Sequence, residues 1–394
     1  MRVYLDYNAT TPVAPAVLEA MLPYLRDNFG NAGSVHTPGQ RARAGVDIAR
    51  EQVAALIGAK PNEIVFTSGG TEADNLALFG TVAASTKPRK HVITTAIEHH
   101  AILHTCEELE RQGIAVTVAP VGRVPDSQGV VDPEEIRRAI RPETVLISVM
   151  HANNELGVIQ PIEEIGRIAA EAGVQFHCDA VQSAGKVPLD VKALGVDLLS
   201  ISAHKFCGPK GIGALYVRTG TALAPRAFGG HAERSRRAGT ENVPGIIGIG
   251  KAAEIARELL AEDAARLSKL RDKLESELLA RVRGAQVNGD RSRRVPNTTN
   301  MTFPGAGGEA LLISLDLQGI ACSTGAACSS GSTEPSHVLL AAGMSRDEAR
   351  SSLRFSLGRP TTPEEIDHAI SVILPVVERI RALSPRESQV AIAH

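Results

Sequence analysis

The chain has 394 residues, 43% of them hydrophobic, with 42 Lys and Arg against 44 Asp and Glu. That length suits two domains and that apolar share supplies a sizeable core, while a net charge of −2 carries no basic excess for nucleic acid or an anionic membrane surface. No run of about 18 uninterrupted apolar residues is present to span a bilayer, and the start, Met1-Arg-Val-Tyr-Leu-Asp6, has no apolar signal region. Five cysteines, at 106, 178, 207, 322 and 328, are an odd count in a long chain. This argues against a disulfide framework and for a reducing, cytoplasmic compartment.

Tyr4 to Pro12 reads as a short extended segment, and Ala14 to Leu25 as a helix. A glycine-containing loop through Asn31 and His36 leads to a second helix, Gln40 to Ile57. Its expected buried face carries Val46, Ile48, Val53, Leu56 and Ile57. From Ile64 onward, short apolar strands alternate mostly with helical or loop segments: 64–66, 91–94, 115–120, 144–149, 175–178, 198–202 and 214–217. This alternation predicts a largely parallel sheet with helical crossovers, in which ligands bind at the carboxyl ends of the strands. Gly245 to Val282 is a long helical region joining two domains. Residues 287–380 read as a smaller α+β domain that includes a helix from Pro363 to Leu383. The expected division is 15–256 for the large domain, and 1–14 with 257–394 for the small one. Ala, Gly and Ser crowd 321–332, which reads as a mobile loop, and the tail Pro385 to His394 lacks periodicity.

The chemistry concentrates where strands end. Leu198 to Ile201 runs into a small-residue turn that delivers His204 and Lys205, and Phe176-His-Cys-Asp179 ends in a carboxylate. A lysine and an aspartate at the ends of neighbouring strands suit pyridoxal phosphate: the lysine forms the Schiff base and the aspartate pairs with the pyridinium nitrogen. The alternative is a surface loop lysine. Phe66-Thr-Ser-Gly-Gly-Thr-Glu-Ala-Asp74 is a strand, a glycine turn and a helix start. Backbone N–H groups there, with the Thr71 hydroxyl, make a phosphate cradle or an ordinary strand-to-helix turn. His100 and His104 stand at i, i+4 with Cys106 near, but no carboxylate or cysteine pair completes a metal set. In Ser351-Ser-Leu-Arg-Phe-Ser-Leu357, Leu353, Phe355 and Leu357 share one face, and Ser352, Arg354 and Ser356 share the other. An arginine in such a strand needs an anion, either an internal carboxylate or a substrate's. Gly245-Ile-Ile-Gly-Ile-Gly-Lys251 fits the glycine spacing of a nucleotide loop. Ala252 replaces the required Ser or Thr, and no strand precedes it.

Ser202-Ala-His-Lys-Phe206, Asp179-Ala-Val-Gln182 and the loop Ser323-Thr-Gly-Ala-Ala-Cys-Ser-Ser330 together resemble the NifS/IscS-type cysteine desulfurases, over a stretch from Tyr4 to about Arg381. The resemblance implies a fold-type I pyridoxal phosphate enzyme: a mostly parallel seven-stranded α/β domain, a small α+β domain and a homodimer. It implies that Gly70, Thr71, Ser202 and His204 hold the cofactor phosphate, with Thr240 reaching it from the partner subunit. His99 would stack on the pyridine ring, and Asn154 and Gln182 would meet the phenolic oxygen. Arg354 would grip the substrate carboxylate. L-Cysteine would become L-alanine, with Lys205 moving the proton and the Cys328 thiolate keeping the sulfur as a persulfide. The implied acceptor is an iron–sulfur scaffold or a tRNA-thiolation protein; the short tail after Arg381 tilts toward the NifS-like side. A selenocysteine lyase, a sulfide-releasing β-lyase and a non-catalytic sulfur carrier or scaffold are the competing readings. No role is implied for Cys207 or Cys322.

Overall fold

The structure is a computed structural model and describes residues 1–324 and 334–383. In chain order the strands are β1 (Val3–Tyr4), β2 (Ile64–Thr67), β3 (His91–Thr95), β4 (Ala115–Ala119), β5 (Thr144–Ser148), β6 (Gln175–Asp179), β7 (Leu198–Ser202), β8 (Gly213–Val217), β9 (Gln286–Asn288), β10 (Thr298–Thr302), β11 (Ile320–Ala321) and β12 (Ser352–Ser356). The helices are α1 (Pro15–Arg26), α2 (Thr37–Leu56), α3 (Gly70–Ala84), α4 (His100–Arg111), α5 (Pro133–Ala139), α6 (Ile162–Ala172), α7 (Val243–Arg281), α8 (Gly308–Leu317), α9 (His337–Ala341), α10 (Arg346–Arg350) and α11 (Pro363–Leu383).

Seven strands form the central sheet in the order β2-β8-β7-β6-β5-β3-β4. All neighbours are parallel except β8, which runs antiparallel to β2 and β7. These are the seven strands expected from the apolar runs. The middle strands β5, β6 and β7 are buried because helices cover both faces, whereas the edge strand β4 is largely open to solvent. The small sheet has the order β12-β10-β9, and β1 pairs with β11.

Besides a core of α3 and α4 against the central sheet, two cores gather at opposite ends of α7. One gathers the central sheet, α2, the start of α7 and the segment from Val338 to Ala349. The other packs Leu267 to Leu278 of α7 with β10, β12, α8 and α11. α7 begins at an Asn242 cap, whose Oδ1 accepts from Gly245 N at 3.2 Å. The glycines that mimic a nucleotide loop therefore lie inside a helix. They serve close packing: a Cβ on Gly250 would stand 2.6 Å from the Ala49 Cα of α2. α2 buries Ala42, Gly45, Val46, Ala49 and Val53 in one stripe. Ile48 lies off that stripe and is 56% exposed, so its expected burial does not hold.

Candidate active site

Asp179 is the last residue of β6, and Lys205 ends the tight turn Ala203–Lys205 that follows β7. β6 and β7 are parallel neighbours, so both groups emerge at the carboxyl edge of the sheet. Burial pushes Asp179 up to about 6. The Val181 N–H, which donates to its Oδ1 at 2.9 Å, and the nearby Lys205 pull it back. Lys205 Nζ donates to the backbone carbonyls of Asn8 at 2.6 Å and Ala9 at 2.9 Å.

Behind Asp179 lies a buried polar network. His177 Nδ1 pairs with Ser148 Oγ and its Nε2 with Ser200 Oγ, each at 2.9 Å, and Asp74 Oδ1 stands 3.6 Å from Nε2. Burial lowers His177 to about 3, so its ring is neutral. Asp74 is raised by burial and then by Asp179. Glu98 accepts from Thr95 Oγ1 at 2.5 Å and from Met150 N at 3.0 Å, both on Oε1; its buried Oε2 has no partner among the described residues. Burial raises Glu98 to about 8.

The remaining predicted residues fall around this edge. Gly70 opens α3, and a Cβ placed on it would meet Val181 Cγ2 at 2.7 Å and Ser202 Cβ at 3.6 Å. Thr71 is exposed at the same helix start, and Ser202 is buried at the end of β7. His204 Nδ1 pairs with Thr10 Oγ1 at 3.1 Å. Burial, with Lys205 beside it, lowers its ring to about 4. His99 caps α4: its Nδ1 accepts from Ala101 N at 3.1 Å, and burial and then Lys205 hold it at about 4. Thr240 is exposed and shares a groove with Ser68 and Arg237. His100 stacks on His104 with ring centroids 4.8 Å apart and lies 4.7 Å from His337.

Sequence reasoning assigned no role to Asn8, which joins most of these groups. Its carbonyl accepts from Lys205 Nζ and from Gln182 Nε2, the latter at 3.0 Å. Its Oδ1 accepts from Lys186 Nζ at 2.9 Å and Asn297 Nδ2 at 3.1 Å. Its Nδ2 donates to the Asn154 carbonyl at 3.1 Å and Thr298 Oγ1 at 2.9 Å. The Asn154 carbonyl also accepts from Arg354 Nη1 at 2.9 Å. Arg354, 2% exposed, sends Nη2 to Asp6 Oδ1 at 2.6 Å and leaves a buried Nε without an acceptor among the described residues. The internal carboxylate left open by the strand pattern is therefore present, and it is Asp6. The extended Tyr4 to Pro12 segment was the only sequence signal for Asp6 and Asn8.

Cys328 lies outside the described residues. The chain enters that loop from Ser323, whose N–H donates to the Arg354 carbonyl at 3.2 Å while Arg354 N donates back at 2.6 Å. Cys322 is packed in the second core, and burial pushes its thiol up to about 12. Cys207 is buried with φ 66°, and its N–H donates to Thr11 Oγ1 at 2.9 Å.

Residues 3–368 match the family of class-V aminotransferases. A cysteine desulfurase IscS of Dictyoglomus turgidum is 49% identical over 387 residues, covering 98% of this chain and 97% of that protein. One of Methanosarcina thermophila is 51% identical, covering 97% and 94%. Among solved structures, a NifS-like protein superposes with a TM-score of 0.90 at 40% identity, covering 96% of this chain and all of the other. SspA in complex with cysteine gives 0.80 at 39%, covering 90% and 98%. On this near-complete coverage, the chain belongs to the class-V aminotransferase family.

Proposed function

We propose that the carboxyl edge around Lys205, Asp179 and Arg354 is where this chain takes sulfur from L-cysteine. The chain is a pyridoxal phosphate-dependent cysteine desulfurase of fold type I, as its relatives at about half identity over nearly full length are named. The observation that carries the residue assignment is Lys205 and Asp179 side by side at the ends of parallel strands.

The residues fit the cofactor. Asp179 is a buried carboxylate close to one lysine, with a single hydrogen bond from Val181, which suits a cationic ring nitrogen. The Gly70 site is a cradle that a Cβ would fill, and it opens a helix of 15 residues whose N–H groups suit a phosphate. His99 is neutral and so can stack on an aromatic ring without carrying a charge to it. Bound there, pyridoxal phosphate supplies an electron sink for charge developing at the substrate Cα.

The protein does the rest. Lys205, Asp179 and His99 hold the ring, and Gly70, Thr71, Ser202 and His204 hold the phosphate, with Thr240 reaching it across a homodimer. Asn154 and Gln182 would meet the phenolic oxygen. Arg354 offers its free Nε–H to the substrate carboxylate while Asp6 and the Asn154 carbonyl fix the other edge of the guanidinium. The Lys205 amine takes the Cα proton and returns it as alanine forms. The Cys328 thiolate attacks the substrate sulfur, the Cβ–S bond breaks with its electron pair going to Cβ, Cβ takes up a proton to become the alanine methyl, and Cys328 is left as a persulfide. Cys328 is five residues from Ser323, a chain length that reaches roughly 17 Å at most.

A second copy is supported by Phe29, Val35 and Phe228, which stand 78%, 89% and 84% exposed. A division near 15–256, and 1–14 with 257–394, is supported by the second core, while the segment from Val338 to Ala349 packs into the first. No helix among the described residues is long and apolar enough to cross a membrane; a cytoplasmic setting is our reading from the free thiols. The persulfide would pass to an iron–sulfur scaffold or a tRNA-thiolation protein. The test of the site is borohydride reduction of the yellow protein followed by peptide mapping. Loss of the visible band with the adduct on Lys205 is expected; an adduct on another lysine contradicts the assignment.

A further inference from the structure

Lys186 lies one turn beyond Gln182 and is tied into the same network. Its Nζ donates to Gln182 Oε1 and to Asn8 Oδ1, each at 2.9 Å. The Lys186 amine donates in either protonation state, and Gln182 presents its carbonyl oxygen to it. Its Nε2 then meets the Asn8 backbone carbonyl, which can only accept. The two neighbours agree, so the amide orientation is fixed by chemistry rather than by assignment. Asn8 is fixed in the same way, with Oδ1 toward Lys186 and Nδ2 toward the Asn154 carbonyl. The Asn8 carbonyl also accepts from Lys205 Nζ, closer than the Ala9 carbonyl does.

The two lysines therefore bond to the two oxygens of one residue. Both acceptors of Lys186 are neutral, and burial and then Lys205 disfavour its charged form. Facing Lys186 are Lys205, Arg354 and Cys207; facing Lys205 are Lys186, His99, His204 and Asp179. A cavity of about 50 Å³ adjoins both lysines, and within it Asp263 and Arg359 pair at 2.6 Å. Two amines hydrogen-bonded to one residue disfavour each other's charge and titrate as a coupled pair.

We propose that Lys186 is a positioning residue of this active site, locking the Gln182 and Asn8 amides and coupling its amine to that of Lys205 through Asn8. A lysine beside a second cation is more often neutral and thus a better base and nucleophile. The inference rests on Lys205 being the cofactor lysine.

The test is competitive labelling of lysines in the full-length protein, freed of cofactor, with a trace acylating reagent across alkaline pH, read by peptide mapping. In Lys186→Met, Lys205 becomes the sole amine, and its midpoint rises by about one unit. That is about a tenfold loss of reactivity at a fixed pH below the midpoint. In Lys186→Arg a permanent cation remains, and the Lys205 midpoint stays at or below the wild-type value. A merely structural role would shift both variants alike, and that result, or an unchanged Lys205 profile in Lys186→Met, overturns the proposal. If the Met variant does not fold, the wild-type protein decides. Stretched, interdependent profiles support the pair, and two independent curves near about 10.4 contradict it. Labelling does not depend on which lysine holds the cofactor, so failure here is distinct from failure of the borohydride map.

Discussion

Asp6 and Arg354, 348 residues apart, meet at 2.6 Å beneath the proposed substrate site. Asp6 comes from the extended amino-terminal segment and Arg354 from the middle of β12. The pair joins both ends of the chain where the second core meets the sheet. It also occupies one guanidinium edge, so a substrate carboxylate must use the other.

Arg354→Ala should therefore do two things. It should raise KM for cysteine sharply while the cofactor still binds. It should also destabilise the fold by about 3–5 kcal/mol, because Asp6 is left without its cation. Arg354→Lys should recover much of the stability but not KM, since an ammonium lacks the planar fork. Steady-state kinetics alongside thermal melts check this; an unchanged KM in Arg354→Ala removes the clamp.

Glu98 gives a pH-dependent prediction with a definite sign. Its folded value, about 8, lies above the ordinary 4.5. The folded state thus holds the proton more tightly, and the stability it contributes is present below pH 4.5 and lost as pH rises through 8. Glu98→Gln mimics the protonated form at every pH. The melting temperature of the variant relative to wild type should climb between pH 5 and 8, by an amount equivalent to a few kcal/mol. A constant difference over that window contradicts the raised value.

Gly70→Ala should weaken cofactor retention. The new Cβ would press on Val181 Cγ2 at 2.7 Å, and a β-branched side chain cannot easily swing away. Val181 also donates the N–H that holds Asp179, so the disturbance reaches the ring as well as the phosphate. A roughly tenfold higher Kd for pyridoxal phosphate, about 1.4 kcal/mol, is expected from titration of the protein freed of cofactor. An unchanged Kd would show that the cradle tolerates a side chain.

What could be read from the sequence was local. β7 spans 198–202 as expected, because a fully buried strand is a continuous apolar run with a turn after it. Lys205 and Asp179 were legible for the same reason: each ends such a run. The tertiary contacts were not. Nothing in Tyr4 to Pro12 announces that Asp6 would meet Arg354, or that Asn8 would join Lys205, Gln182, Lys186 and Asn154. Ile48 was misplaced because an apolar residue two positions from Val46 falls off a helical stripe.

The central claim is that substrate sulfur goes to Cys328. The described cysteines are poor rivals: Cys322 and Cys106 are each pushed up to about 12 by burial, and Cys178 and Cys207 are raised by it too. The direct measurement is mass spectrometry of the protein after one turnover with L-cysteine, with alanine counted under a mild reductant. The wild type should carry one extra sulfur on the Cys328 peptide. Cys322→Ala should retain most activity. Cys328→Ala should still bind cysteine and change its absorption spectrum, yet carry no persulfide and yield little alanine. Normal alanine formation by Cys328→Ala, or the extra sulfur on Cys322 in the wild type, would contradict the account.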